Sequence, residues 1–184
     1  MKTVPAEAAN EGFRPVTERI EALDPTPWFE TLEERFGIPP EVFAPYLLFR
    51  SNSKLVSIVN RDLELPQRPD VRFLGTPFVY LKHRRMTTAA TVRFGVHARK
   101  NVIDLLEEQV EDFVRGRSFD LAPGQDIHLD GPGYVITRFR SLILGLGRHF
   151  PAEGAIQGMV PRSWVPMFLD PEPTEKEPEA GEEP

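Results

Sequence analysis

The chain has 184 residues, 40% of them hydrophobic and 10% aromatic, which is enough to bury one core or two small cores that share an interface. It contains no cysteine, which excludes disulfide bridges, thiolate metal sites and a cysteine nucleophile. No apolar run approaches the roughly 20 residues that a membrane-spanning helix needs, and residues 1–5 lack the apolar core of a signal peptide. We therefore expect a cytoplasmic protein with no membrane partner.

The net charge of −6 is distributed unevenly along the chain. Residues 1–45 carry four basic and nine acidic side chains, and residues 169–184 carry one basic and seven acidic side chains. Residues 46–168, in contrast, carry seventeen basic and twelve acidic side chains, a net charge of +5. Only this middle segment has the charge to attract the phosphates of a nucleic acid.

The first elements change from helix to strand along the chain. Residues 1–12 are small and polar, which predicts a disordered N-terminus. Apolar residues then recur with helical spacing from Trp28 to Phe36, and Gly37 follows as a helix stop. A second short helical turn is expected at 40–43, where proline stands at the first position. Short strand patterns follow at 46–50, 54–59, 71–73 and 78–81.

The densest basic cluster, residues 82–85, precedes a helix that should begin at Thr87 or Thr88. A helix N-terminus with cations nearby favours a phosphate group, although the cluster is equally consistent with a solvated loop. A longer amphipathic helix is predicted from Asn101, as N-cap, to Arg115, with Gly116 closing it. Its predicted buried stripe consists of Val102, Ile103, Leu106, Val110, Phe113 and Val114.

The last third of the chain has the patterns of a β-structure. Segments 133–140 and 142–149 should pair as a hairpin that turns near Arg140 and Ser141, and 155–160 should add a third strand. The order of elements predicts an α+β protein. We divide it into a disordered N-terminus (1–12), an N-terminal α/β segment (13–84), a small mixed barrel with a packed amphipathic helix (85–168) and a disordered acidic tail (169–184).

Several segments in order carry a family resemblance. They are 85–95 (RMTTAATVRFG), 98–105 (ARKNVIDL), 133–137 (GYVIT), 144–148 (LGLGR) and 156–164 (IQGMVPRSW). Together they resemble the PUA-like C-terminal region of 5-methylcytosine rRNA methyltransferases, and a small large-subunit ribosome-assembly factor that carries the same kind of domain. Residues 28–81 resemble the α/β segment that precedes this domain.

The resemblance implies a PUA-like barrel that binds structured RNA, either rRNA or tRNA, in ribosome biogenesis or RNA modification. The catalytic domain of the methyltransferases is missing from this chain, so methyl transfer is not implied, and a separate methyltransferase would be a partner. The side chains that we expect to contact RNA are Lys82, His83, Arg84, Arg85, Arg93, Arg99, Lys100, Arg138, Arg140, Arg148 and Arg162. For Arg138 and Arg140 the outward face of an ordinary strand is an equal alternative.

The sequence offers no arrangement that is typical of catalysis, and we expect neither a cofactor nor a metal. The four histidines do not stand at metal-ligand spacing. Asp126, His128 and Asp130 alternate, but the glycines and proline around them favour a polar loop. A hydrolase site that uses Lys82 or His83 is the least favoured alternative.

A protein-binding adaptor in a ribonucleoprotein complex is the alternative from another function class. In that case the acidic N-terminal helix and the acidic tail would dock onto a basic ribosomal protein. One continuous surface of basic side chains would favour RNA binding. Dispersed basic side chains beside an exposed apolar patch would favour the adaptor.

Overall fold

A computed structural model describes residues 21–64 and 74–169 of the chain. The predicted strand at 71–73, the predicted disordered N-terminus and residues 170–184 of the predicted tail lie outside the described residues. Within those two ranges, no helix is long and apolar enough to cross a lipid bilayer.

The first half of the described chain forms a helix and an antiparallel sheet. Helix α1 (Thr26–Phe36) ends as predicted at Gly37, which adopts a left-handed φ of 63° and donates its N–H to the Glu33 carbonyl. The predicted short turn is a 3-10 helix, Pro40–Phe43. The elements are α1 (Thr26–Phe36), β1 (Tyr46–Arg50), β2 (Leu55–Asn60), β3 (Thr76–Tyr80) and β4 (Arg85–Met86), and the sheet order is β1-β2-β3-β4.

The second half forms a mixed sheet with helices on both faces. The elements are α2 (Thr88–Phe94), β5 (Val102–Asp104), α3 (Glu107–Arg115), β6 (Ser118–Asp120), β7 (Gly133–Phe139), β8 (Leu142–Phe150) and β9 (Ala155–Gly158), with 3-10 helices at Gly95–His97 and Arg162–Met167. The strands lie in the order β5-β7-β8-β9-β6, and every neighbouring pair is antiparallel except β5 and β7. The fold is α+β, and the described strands form two sheets without a closed barrel.

The predicted hairpin is confirmed, including its turn. Arg140 and Ser141 connect β7 to β8 with positive φ values of 46° and 70°. Two consecutive residues with positive φ give the turn a twist that matches the twist of the paired strands. The predicted third strand follows as β9, paired antiparallel with β8.

The prediction of one helix from Asn101 to Arg115 is wrong in its first half. Val102–Asp104 is a strand parallel to β7, and α3 begins only at Glu107. Asn101 has a φ of 51°, which a helix N-cap does not adopt. Leu106 precedes α3 and is 41% exposed, so it does not belong to the buried stripe, whereas Phe113 and Val114 are buried. Gln109 caps the shortened helix by accepting the Leu106 N–H at 3.0 Å.

The two sheets share one hydrophobic core. Four phenylalanines pack face to face or edge to face at its centre, with the Phe29 and Phe43 rings stacked 4.6 Å apart between their centroids. Ile136 and Leu146, from the second sheet, belong to this same buried cluster. A second cluster, built around Phe113 and Ile156, lies on the opposite face of the second sheet. The shared core fixes the first sheet against β7 and β8, and this contact positions the site described next.

Candidate nucleic-acid interface

The β3–β4 hairpin presents an arginine over a tyrosine. Tyr80 and Arg85 stand directly opposite each other across the two strands, and the Arg85 guanidinium lies 4.6 Å from the centre of the Tyr80 ring. This separation is within the range of a cation–π interaction. The predicted cations Lys82 and His83 lie in the exposed turn between these two strands.

Arg85 also connects the first sheet to the second. Its guanidinium lies 6.0 Å from the centre of the Tyr134 ring on β7, and its Nη1 lies 3.9 Å from the Met159 sulfur. Tyr134 in turn stands directly opposite Arg148 in the β7–β8 pairing. Side chains opposite each other on paired strands are close neighbours on one face of a sheet.

Both ends of this row carry a further arginine–aromatic pair. Arg148 lies over the ring of Phe150, 5.1 Å from its centre, and Arg84 lies 5.9 Å from the Trp28 ring of α1. These pairs lie on α1, on the β3–β4 hairpin and on β7 and β8, and residues that are adjacent in the chain or paired across strands connect them. We call this set the basic–aromatic surface; it consists of Trp28, Tyr80, Arg84, Arg85, Tyr134, Arg148 and Phe150.

Arg35 binds the backbone that carries Tyr134 of this surface. Its Nε donates to the Tyr134 carbonyl at 2.9 Å and its Nη1 donates to the Asp130 carbonyl at 2.7 Å, while the buried Nη2 has no hydrogen-bond partner among the described residues. Burial lowers the pKa of Arg35, and the nearby Asp130 charge partly opposes that shift. These bonds hold the backbone at Tyr134, the residue that carries the β7 ring of the surface.

The arginines of the basic–aromatic surface differ in their charge partners from the arginines on and around α3. Among the described residues, Arg84, Arg85 and Arg148 have no carboxylate within ion-pair distance. Elsewhere, four arginines pair with acidic residues: Arg138 with Asp104, Arg140 with Glu107, Arg115 with Glu111, and Arg117 with Asp112. The positive charge of the basic–aromatic surface is therefore available to a ligand, whereas carboxylates neutralise the charge of the four paired arginines.

The Arg138–Asp104 pair is the best defined of these ion pairs. Two parallel hydrogen bonds of 2.6 and 2.7 Å join the guanidinium to the carboxylate. Hydrogen bonding to Arg138 lowers the pKa of Asp104, and the same bond raises the pKa of Arg138. Arg140 lies 2.9 Å from Glu107 and over the Phe139 ring. These two predicted RNA contacts are engaged within the protein.

The remaining predicted cations lie apart from the basic–aromatic surface. Arg93 donates to the Tyr46 hydroxyl at 3.1 Å, on edge strand β1. Tyr80 and Arg85 of the surface stand on β3 and β4, two and three strands away from β1, or about 10 to 14 Å. The exposed Arg99 and Lys100 lie at the end of α1, where their N–H groups both donate to the Phe36 carbonyl. Arg162 is exposed at the start of the last 3-10 helix.

The structure thus brings together Lys82, His83, Arg84, Arg85 and Arg148, and disperses the other six predicted residues. Sequence patterns did not reveal Trp28, Tyr80 or Tyr134 as partners of these cations. The Tyr80–Arg85 contact follows from the pairing of a short hairpin and was accessible from sequence. The Trp28–Arg84 and Arg85–Tyr134 contacts join distant parts of the chain, and local periodicity carries no signal for them.

Among the described residues, no group of three histidine, aspartate or glutamate side chains is placed to hold a metal ion. No model of a known protein family matches the chain, and a search of curated proteins finds no similar sequence.

Proposed function

We propose that the protein binds structured RNA, without catalysis, through the basic–aromatic surface. The observation that carries this proposal is the segregation of its arginines. Arg84, Arg85 and Arg148 of this surface have no acidic partner in the described structure, whereas Arg138 and Arg140 are paired with carboxylates. Arginines free of carboxylates can bind phosphates, and the aromatic rings beside them offer planes on which unpaired bases stack.

The local chemistry suits RNA better than a duplex read through its grooves. The surface consists of a short hairpin, one face of the inner strands β7 and β8, and Trp28 from α1, so most of its side chains stand on strands. RNA-binding sheets stack splayed bases on tyrosine and arginine planes while nearby cations contact the backbone. Tyr80, Tyr134 and Trp28 are half-buried, so their rings are already ordered before RNA binds.

We further propose that the second sheet, with α2 and α3, is a PUA-like domain. Support comes from the resemblance of segments 85–95, 133–137, 144–148 and 156–164 to that family, and from a mixed sheet with a helix packed on one face. A role in ribosome assembly or RNA modification, in company with a separate methyltransferase, follows from that relationship. It rests on the resemblance and on no contact described above.

A charge-matched pair of variants tests the proposal. Arg84→Gln with Arg85→Gln removes two cations from the basic–aromatic surface. Arg138→Gln with Arg140→Gln removes two cations that already have carboxylate partners. Affinity for a stem-loop rRNA fragment, measured by fluorescence anisotropy at low salt, should fall about tenfold or more in the first variant, since charged phosphate contacts contribute roughly 1 kcal/mol each. The second variant should lose at most about threefold.

Equal losses in the two variants would show that only net charge matters, which would contradict a localised surface. Circular dichroism of both proteins is the control for folding. Tyr134→Leu separates stacking from charge, because it keeps an apolar side chain without a π face and leaves every charge in place. It should weaken binding by about 1–3 kcal/mol if a base stacks there.

Exposed apolar side chains favour a protein-binding adaptor as the second candidate. Val96 is 68% exposed and Leu142 is 67% exposed. Val96→Asp with Leu142→Asp should abolish binding to a basic ribosomal protein if the adaptor function holds, and leave RNA affinity unchanged. Loss of RNA binding in this variant would contradict the assignment of the RNA site to the basic–aromatic surface.

A further inference from the structure

One face of the second sheet continues the basic–aromatic surface across two more strands. Tyr134 on β7 stands opposite Arg148 on β8. Arg148 also stands opposite Gln157 on β9, and Gln157 stands opposite Ser118 on the edge strand β6. Opposite side chains on paired strands lie on one face of a sheet, so these four residues form a row about 14 Å long at the usual strand spacing. We call it the transverse row.

The alternation of side chains along β9 and β6 supports this assignment. Ile156 precedes Gln157 and Phe119 follows Ser118, and both apolar residues are buried in the cluster on the opposite face of the sheet. Gln157 and Ser118 therefore point the other way, and both are exposed. Neither side chain has a hydrogen-bond partner among the described residues. The Gln157 amide and the Ser118 hydroxyl can therefore donate to a ligand and accept from it.

Arg85 reaches the same face from the first sheet. Its Nη1 lies 3.9 Å from the sulfur of Met159, which follows Gln157 by two positions. The Met159 N–H donates to the Leu146 carbonyl at 3.0 Å, so the pairing of β9 with β8 continues to this residue. Residues two positions apart on a strand share a face, and Met159 is therefore the neighbour of Gln157 on the face of the transverse row. The cations of the β3–β4 hairpin thus adjoin the row.

The transverse row changes from charged to neutral along its length. Arg85 and Arg148 both neighbour Tyr134, and in the described part of the chain neither has a carboxylate partner. Beyond Arg148 the row is neutral, and the exposed Asp120 stands two positions after Ser118 on the same face of β6. Phosphates bind guanidinium groups and are repelled by carboxylates. The charged end therefore suits the backbone of a nucleic acid, and the neutral end suits its bases and sugars.

We propose that unpaired nucleotides of the bound RNA cross the second sheet along the transverse row, from Tyr134 over Arg148 to Gln157 and Ser118. This inference rests on the proposed function and specifies its substrate, a stem that continues into a single strand. A base stacks on Tyr134, a phosphate binds Arg148, and Gln157 and Ser118 form hydrogen bonds with the base edge or the 2′-hydroxyl of the next nucleotide. A fully paired RNA cannot bind in this way, because its base edges are already paired.

A set of three RNAs tests whether unpaired nucleotides are bound. A blunt duplex is compared with the same duplex extended by about six unpaired nucleotides at its 5′ or its 3′ end, a length within the site sizes of single-strand-binding surfaces. One of the two extended RNAs should bind the full chain at least about fivefold more tightly than the blunt duplex, since a stacked base alone contributes that much. Equal affinity for all three RNAs would overturn the inference.

Two alanine variants test the neutral end of the row. Gln157→Ala should weaken binding of the extended RNA about threefold to tenfold, as the loss of one neutral hydrogen bond does, and leave the blunt duplex unaffected. The dependence of its affinity on salt should stay unchanged, because no charge is removed. Ser163→Ala, at an exposed residue of the last 3-10 helix outside the row, is the control and should change neither affinity. A Gln157→Ala variant that binds like Ser163→Ala would overturn the inference.

A charge-matched pair of variants locates the path of the strand. Gln157→Glu and Ser163→Glu alter the net charge equally, but only the first places a carboxylate in the row. Gln157→Glu should weaken binding of the extended RNA by about tenfold or more, and Ser163→Glu by less than about twofold. Equal losses would show that net charge alone acts, which would also overturn the inference.

The outcomes separate this inference from the proposed function. If Arg84→Gln with Arg85→Gln weakened RNA binding while the Gln157 variants matched their Ser163 controls, the basic–aromatic surface would stand and the path along the transverse row would be wrong. If the wild-type chain bound none of the three RNAs at low salt, the proposed function itself would be wrong.

Discussion

Asn101 and Asp130 bind each other in both directions. The Asn101 Oδ1 accepts the Asp130 N–H at 2.7 Å, and its Nδ2 donates to the Asp130 carboxylate at 3.2 Å. The same Nδ2 donates to the Arg35 carbonyl at 2.6 Å, at the end of α1. Asn101 is fully buried, so this one side chain ties α1, the start of β5 and the loop before β7 together.

Replacement of Asn101 should therefore be costly. Asn101→Ala leaves the Asp130 N–H and the Arg35 carbonyl without a partner and keeps a Cβ at a φ of 51°, so we expect a loss of about 3 kcal/mol in the free energy of unfolding. Asn101→Gly removes the same hydrogen bonds but tolerates the left-handed backbone, and it should cost about 1 kcal/mol less. Urea denaturation of both variants measures the difference. An alanine variant as stable as the glycine variant would show that the backbone relaxes.

Gly158 marks the closest approach between α3 and β9. A Cβ at this position would collide with the Phe113 carbonyl, which is backbone and cannot swing away. Gly158→Ala should therefore destabilise the protein by about 3 kcal/mol, as overpacking of a rigid contact does. Gln157→Ala on the same strand removes an exposed side chain and should change the unfolding free energy by less than about 0.5 kcal/mol. Thermal denaturation measures the difference, and equal melting temperatures for the two variants would contradict this close contact.

The corrected start of α3 changes what truncation of its side chains should do. Leu106 lies outside the helix and is 41% exposed, so Leu106→Ala should cost less than about 1 kcal/mol. Phe113 is fully buried, and Phe113→Ala should cost about 3–5 kcal/mol. Chemical denaturation measures both losses. A loss for Leu106→Ala as large as that for Phe113→Ala would support the longer helix, with Leu106 buried.

The Asp104–Arg138 pair should contribute to stability only while the carboxyl is ionised. Because the folded-state pKa of Asp104 is lowered, its contribution is present at neutral pH and is lost as the pH falls through that lowered value. Both side chains are largely exposed, so the contribution is at most about 1 kcal/mol. Asp104→Asn should be less stable than the wild type at pH 7 by that amount, and the two curves should converge in acid. If the difference in unfolding free energy persisted in strong acid, the effect of the substitution would come from packing and not from the carboxylate charge.

The fold followed from sequence wherever a local signal was unambiguous. Gly37 and Gly116 ended their helices as predicted, and the Arg140–Ser141 turn gave the β7–β8 hairpin its register. The segment from Asn101 to Leu106 was ambiguous, because a short apolar run suits a helix and a buried strand alike. What decides it is the parallel pairing of Val102 with Ile136, a contact between distant residues.

The candidate site was predictable only in part for the same reason. The cluster of Lys82, Arg84 and Arg85 is visible in the sequence, but which arginines keep their charge available is not. Arg138 pairs with Asp104 across 34 positions, while Arg85 meets Tyr134 instead of a carboxylate. Local periodicity cannot distinguish a paired arginine from an unpaired one, because the partner of each arginine depends on tertiary packing.

The salt dependence of RNA affinity tests the proposed surface most directly. Phosphate contacts release counterions, so a plot of log affinity against log salt should have a slope of about −3 to −5 for a surface of this size, at roughly 0.7 to 0.9 per phosphate. Arg84→Gln with Arg85→Gln should flatten the slope by about one to two units, and Arg138→Gln with Arg140→Gln should leave it unchanged. A slope near zero, or one that both variants flatten equally, would contradict binding of RNA by the basic–aromatic surface.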